Sequence, residues 1–416
     1  MLPEATLETF PNGLKLVFTP NPHSEAVALG IFVSSGARHE PKKLLGISHF
    51  IEHMLFKGTT TRTAAEISRI IEGKGGHFNA FTSEEVTCFY TYLPCEGLKS
   101  AIDILTDMYS NAAISEKEFE REKAVVLEEI KMYEDEPDAV ASENLSKLLY
   151  PKNNLGLPIA GSAKTLIPMT PDDLRSYIAK AYVPQSTVVV VSGNFNIDQV
   201  RAHIASTLGN KEAGKKLSYN KVKLSDKVIP EMSVKRDVQQ LQLAMGFKIF
   251  GERASTAEKS AAKIFDCMMG HGMSSRLFQS VREKKGLSYD IHSQIQFFGD
   301  VGGWSITAGL DSSRVPLAIK TIENELDRIR DKKPSSAELR RTKDFLLGHF
   351  RLGMEQVRTQ LFYYGGSVLT HGKIIRPCEL IESLESITSE DIQNIAQKIL
   401  VDSRKGVSFV TPMNWK

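Results

Sequence analysis

The sequence predicts an α+β protein of two similar domains, each a mainly antiparallel sheet covered by helices on one face. Three observations carry this. A chain of 416 residues exceeds what one hydrophobic core usually supports. Apolar or alternating β-rich segments interleave with stretches of helical periodicity in both halves. The second half also repeats landmarks of the first. The capping box Thr170-Pro171-Asp172-Asp173, followed by an apolar run from Thr187, recurs 218 residues later as Thr388-Ser389-Glu390-Asp391 followed by Gly406-Val407-Ser408-Phe409-Val410. Residues 1–210 are therefore expected to form an N-terminal domain, 211–230 a linker, and 231–416 a structurally similar C-terminal domain.

In the first half, 14–19 and 26–33 are apolar and β-rich and read as strands. They lead into an apolar helical pattern at 46–56 and a second helix at 63–73. After Gly75-Gly76 come two strand segments, 77–81 and 86–93. Helical periodicity then runs from about Glu96 to Leu149, broken near Ala112-Ala113 and at Pro137. Pro171 takes the first helical position after its cap, and this helix precedes the buried strand 187–191. The stretch 209–230 is rich in Lys, Asn and Ser and separates the copies. Beyond it, 239–247 repeats the early strand, 261–269 the helix after it, and 288–298 with 303–310 a strand pair.

Composition excludes several classes of partner. With 52 basic against 50 acidic residues, charge gives no argument for nucleic acid or an anionic membrane. The first ten residues resemble neither a secretory signal nor an Arg-rich transit peptide, and no apolar run is long enough for a membrane span. The expectation is a cytoplasmic protein with no nucleic-acid and no membrane partner. Cys88, Cys95, Cys267 and Cys378 are too few and scattered for a disulfide framework, so reduced thiols in packed positions are expected.

The chemistry concentrates in Gly46-Ile47-Ser48-His49-Phe50-Ile51-Glu52-His53-Met54-Leu55-Phe56. On a helix, His49 and His53 lie four apart on one face and can present two imidazoles to one cation. Glu52 sits beside them, placed to take a proton from a water on that cation. This H-x-x-E-H order reverses the commoner H-E-x-x-H and fits a zinc site. A hydrogen-bonded core histidine with surface charges around it would leave the same trace. At the repeat offset the second half carries Cys267, Gly270 and His271, so the carboxylate is missing there. Gly270, Gly272 and Ser274-Ser275 break the helix, and Cys267 and His271 are expected to be structural.

A catalytic zinc needs a third protein ligand, which the acidic stretch 115–136 offers in abundance. There Phe119, Val126, Ile130 and Tyr133 form an apolar stripe expected to face the interior. Glu122 lies about 40° and Glu129 about 60° from Val126 around the helix, whereas Glu128 lies about 160° away and points to solvent. Carboxylates flanking a buried face require a partner, either a buried Arg or Lys or a divalent cation.

Taken together, these motifs resemble the pitrilysin/insulinase family of inverted zincins, in its two-domain branch of processing-peptidase-like enzymes. The likeness spans essentially the whole chain. His49-Phe50-Ile51-Glu52-His53-Met54-Leu55-Phe56-Lys57-Gly58-Thr59 follows the family signature, and the family's distal glutamate, 76 residues past the second histidine, falls on Glu129. The resemblance thus implies one Zn²⁺ per chain held by His49, His53 and Glu129, with Glu52 as general base and Glu122 supporting the ligands. Gly76-His77-Phe78-Asn79-Ala80-Phe81-Thr82-Ser83-Glu84 resembles the family's active-site edge strand, which implies that Asn79 and Ala80 contact an extended peptide. Arg282 and Tyr289 resemble an Arg/Tyr pair that reaches the scissile carbonyl from the opposite wall. In the family that wall belongs to the half without zinc, so a two-domain chain is expected to form a homodimer enclosing a chamber, or a heterodimer with an inactive homologue. The implied activity is zinc-dependent endopeptidase cleavage of short or unfolded peptides or precursor segments. The alternative is a non-catalytic assembly subunit that retains the fold.

Overall fold

A computed structural model describes residues 4–413 and contains two sheets, each at the centre of its own unit. The first unit takes in residues up to Ile130, with Pro158–Asn220 and Arg351–Pro377. The second takes in Lys131–Leu157, Lys221–Phe350 and the residues from Cys378 onward. The chain passes from one to the other at Asn220, inside the segment expected to be a linker. It also crosses at four further points, so that the helix Pro137–Leu149 counts with the second unit and the helix Val357–His371 with the first.

The first sheet has six strands: β1 (Thr6–Thr9), β2 (Lys15–Pro20), β3 (Ala26–Val33), β4 (His77–Thr82), β5 (Thr87–Pro94) and β6 (Thr187–Gly193). Their order is β1-β2-β6-β3-β5-β4, with β2 and β6 parallel and every other pair antiparallel. β3 and β6 are buried along nearly their whole length, which is why both read as continuous apolar runs. Leu29, Ile31 and Val33 face the main core, where they meet Phe50, Met54, Leu105, Phe119 and Val126. The second face carries one further helix, Val357–His371. Leu361 packs over Gly30, and Phe362 meets Phe32 and Tyr90 edge-on with ring centroids 6.2 and 4.9 Å apart. A Cβ on Gly365 would stand 2.5 Å from the Phe32 ring, so the close approach of this helix requires glycine there.

The second sheet contains β7 (Glu231–Arg236), β8 (Leu241–Phe250), β9 (Ser288–Phe297), β10 (Val301–Leu310) and β11 (Lys405–Pro412), ordered β7-β11-β8-β10-β9. Only β7 and β11 are parallel. Strand for strand this repeats β2-β6-β3-β5-β4, and β11 begins 218 residues after β6, as the sequence repeat predicts. Helices Thr256–Gly270, Val315–Asp331 and Ser389–Ile399 cover the inner face around Trp304, Phe265 and Ile322. On the outer face, Ala141, Leu145 and Leu149 of Pro137–Leu149 pack on Ala244, Val301 and Val410. Both sheets therefore end in an edge strand, β4 in one unit and β9 in the other.

Some expectations shift. The short strands β1 and β7 were not predicted, nor were four helices between Val315 and Ser386. Tyr133 is 40% exposed, because the apolar stripe of its helix ends at Ile130. Cys378 is exposed rather than packed. Among the described residues no helix is long and apolar enough to cross a membrane.

Candidate metal centre

The helix Ile47–Leu55 buries Ile47, Phe50, Ile51, Met54 and Leu55, which leaves His49, Glu52 and His53 half-buried on its other side. Both of its ends are anchored. At the start, Gly46 has φ +94°, and a Cβ there would meet the Ala160 carbonyl oxygen at 2.4 Å. The buried Glu40 carboxylate accepts the Gly46 N–H at 2.7 Å and the Ser48 N–H at 2.8 Å, which satisfies amides a helix start leaves unpaired. After the helix, Thr59, Thr61, Arg62 and Asn111 all donate to Asp107, at 2.5 to 3.0 Å. Burial alone would raise the Asp107 pKa, but these donors outweigh it and hold the carboxylate below its usual value.

The helix Glu116–Asp135 supplies the carboxylates. Phe119 stacks at an angle on Phe50, ring centroids 4.9 Å apart, and Val126 and Ile130 are buried with it. Fixed by this packing, Glu122 is buried and Glu129 half-buried, whereas Glu128 is exposed, as helical phase predicts.

These two helices bring three candidate ligands together, two imidazoles and a carboxylate. His53 Nε2 lies 3.3 Å and His49 Nε2 3.7 Å from the Glu129 carboxylate, and ligand atoms of all three residues lie within 4.8 Å of one another. The imidazole centroids are 4.7 Å apart. A tetrahedral zinc with bonds of about 2.0–2.2 Å requires ligand atoms about 3.3–3.5 Å apart, so the residues present fit the ion with small adjustments. His49 is kept neutral, the form that binds a metal, because burial pushes its pKa down to about 4, helped by the charge of His53 and opposed by Glu129. At His53 burial acts downwards too, but hydrogen bonds to Glu129 and Glu122 and the charges of Glu129 and Glu52 leave the pKa raised. His53 Nδ1 is 3.4 Å from Glu122 Oε2, and Glu122 Oε1 pairs with Lys57 Nζ at 2.7 Å. That chain orients the His53 imidazole ring, with Nε2 directed at Glu129. Burial raises the Glu52 pKa, against a hydrogen bond from Thr82 and the charge of His53.

The edge strand β4 lies against the same helix in the first unit, with Phe78 contacting Phe56 at 4.7 Å between rings. Asn79 and Ala80 sit mid-strand, and the Ala80 N–H donates to Asn79 Oδ1 at 2.8 Å. Arg282 and Tyr289 belong to the second unit, where the structure brings them together: the guanidinium carbon stands 4.8 Å from the Tyr289 ring centroid. Arg282 lies in a π-helical turn, Phe278–Glu283, and Tyr289 on β9 is 79% exposed. Asp266 accepts hydrogen bonds from His271, Ser293 and Trp304, and burial pushes the Cys267 thiol up to about 12. His271 is thus held by a carboxylate, and Cys267 is an unreactive thiol.

Sequence reasoning missed three side chains. Lys57 had a local signal, lying four residues past His53. Thr82 had a weaker one, the period-two alternation that puts it on the inward face of β4 with Phe78 and Ala80. Glu40 had none, because its partners are set by the path of the intervening loop.

Residues 15–163 match the family model described as insulinase, peptidase family M16, and residues 168–346 match the peptidase M16 inactive domain. The chain belongs to the M16 insulinase family. An uncharacterized zinc protease of Bacillus subtilis is 34% identical over 400 residues, 95% of either chain, and one of Rickettsia felis is 33% identical over 390 residues, 93% of either chain. The crystal structure of a protease from Helicobacter pylori shares the fold with a TM-score of 0.93 at 20% identity, covering 99% of this chain and all of that one. A Pseudomonas fluorescens structure described as a peptidase M16 inactive domain does so with a TM-score of 0.91 at 17% identity, covering 99% of this chain and 98% of that one.

Proposed function

We propose that the protein is a zinc-dependent endopeptidase acting on short or unfolded peptides or precursor segments. One observation carries the reading: His49, His53 and Glu129 converge from two helices within 4.8 Å of one another, and the helix of the two histidines also bears Glu52. The naming of its relatives as zinc proteases supports it. When bound, one zinc per chain supplies Lewis acidity and a water acidified to near neutrality. Glu122, paired with Lys57, keeps the His53 ring in register. Glu52 accepts the water proton and passes it to the leaving amine. An extended peptide adds to β4, where its main chain exchanges hydrogen bonds with the strand around Asn79 and Ala80. Arg282 and Tyr289, contributed by a second copy in a closed dimeric chamber, steady the developing charge on the carbonyl oxygen.

Two measurements test this. Glu52→Gln should keep its zinc by elemental analysis and lose cleavage of a quenched peptide; persistent cleavage removes Glu52 as base. Mixing Glu52→Gln chains with Arg282→Ala/Tyr289→Phe chains should restore part of the activity through hybrid dimers, and no recovery after subunit exchange refutes the shared site.

A further inference from the structure

The Glu52 carboxylate is held from the strand edge. Its Oε2 accepts a 2.5 Å hydrogen bond from the hydroxyl of Thr82, the last residue of β4. The donor itself is firmly placed. Thr82 pairs with Thr87 in the ladder, and the turn that follows is closed by Ser83, whose N–H and hydroxyl both donate to the Val86 carbonyl at 2.8 and 3.1 Å. The loop before the metal helix clasps that turn from outside: Ala37 N–H donates to the Ser83 carbonyl and Arg38 N–H to the Glu84 carbonyl, at 3.1 and 2.7 Å. The buried Arg38 guanidinium adds an ion pair with Glu85 at 2.5 Å.

A glutamate's last torsion is broad and nearly two-fold, so an unheld carboxylate samples many orientations. One short hydrogen bond from a rigid strand removes that freedom and distinguishes its two oxygens. We infer that Thr82 is a positioning residue for Glu52: its hydroxyl fixes one carboxylate oxygen and leaves Oε1 to exchange the proton. The inference rests on the peptidase reading of the same site and adds a coupling to it. The strand edge that takes up the peptide main chain also aims the base, so the register of the peptide and the orientation of Glu52 are set by one element.

Thr82→Val keeps the β-branched shape and removes the donor, and Thr82→Ser keeps the donor in a smaller side chain. In zinc-loaded proteins of equal zinc content, Thr82→Val should lower kcat about 10–100-fold with KM within about twofold, and Thr82→Ser should restore most of kcat. A crystal structure of Thr82→Val should show the Glu52 carboxylate turned away from its present position. Wild-type kcat in Thr82→Val, equal losses in the Val and Ser variants, or an unmoved carboxylate would each overturn the inference. Failure of the peptidase reading shows separately, as a wild type and Glu52→Gln that cleave alike, while the two structures still decide whether Thr82 holds the carboxylate.

Discussion

Glu40→Gln tests how the metal helix is held at its start. The Glu40 carboxylate is buried, with a pKa raised to about 7, burial being the main cause and the Ser48 and Gly46 amides opposing it. The native state therefore keeps this proton until near neutrality, whereas the unfolded chain releases it near 4.5. Between those values the unfolded state binds fewer protons, so stability falls as pH rises, by about 1.4 kcal/mol per unit and about 3 kcal/mol in all, and is flat above. Two groups nearby titrate outside this pattern. Tyr177, which meets Ser48, is raised to about 12, and the neighbouring His39 is lowered to about 4, so its effect over the same range has the opposite sign. Subtracting the variant from the wild type cancels both. Urea unfolding of the two proteins should give a stability difference that moves against the wild type by about 3 kcal/mol from about pH 4.5 to about pH 7 and then stays constant. A flat difference across that range would show that Glu40 is ionised in the native protein throughout.

Gly46→Ala should cost about 2–4 kcal/mol, from the positive φ and the overlap with the Ala160 carbonyl, and an unchanged thermal midpoint would refute this account of the helix start. Glu129→Gln should weaken zinc binding by more than about 100-fold in chelator competition; wild-type affinity would remove Glu129 as a ligand. Phe50→Ala should cost about 3–5 kcal/mol in urea unfolding, because it empties the contact with Phe119 that joins the two ligand helices, and a loss below about 1 kcal/mol would show that the joint lies elsewhere.

What was legible in the sequence was what local periodicity encodes. His49, Glu52 and His53 follow from i,i+4 spacing on one helix, and Glu122 and Glu129 from their phase beside Phe119 and Val126. The 218-residue repeat carried over to the strand order of both sheets. The rest depends on pairing between distant segments. An amphipathic pattern shows that Pro137–Leu149 has a buried face but not which sheet buries it. Glu40 acts through one carboxylate whose partners a loop's path decides, and Thr82 through one hydroxyl whose partner, Glu52, lies on a helix that a strand pattern does not locate. β1 and β7 are short, half-exposed edge strands, with little apolar signal to read.

The helix Val357–His371 gives the first unit a temporal constraint. Its Leu361 and Phe362 close the sheet face over Gly30 and Phe32, yet they lie some 330 residues further along the chain. During synthesis that face stays open until the helix Val357–His371 has emerged, so the first unit cannot complete its core as an early folding domain. Contacts of such sequence separation make folding slow, and the waiting sheet is a natural target for chaperone binding. A fragment ending in the 211–230 segment would keep every metal ligand and still lack part of the structure beneath them.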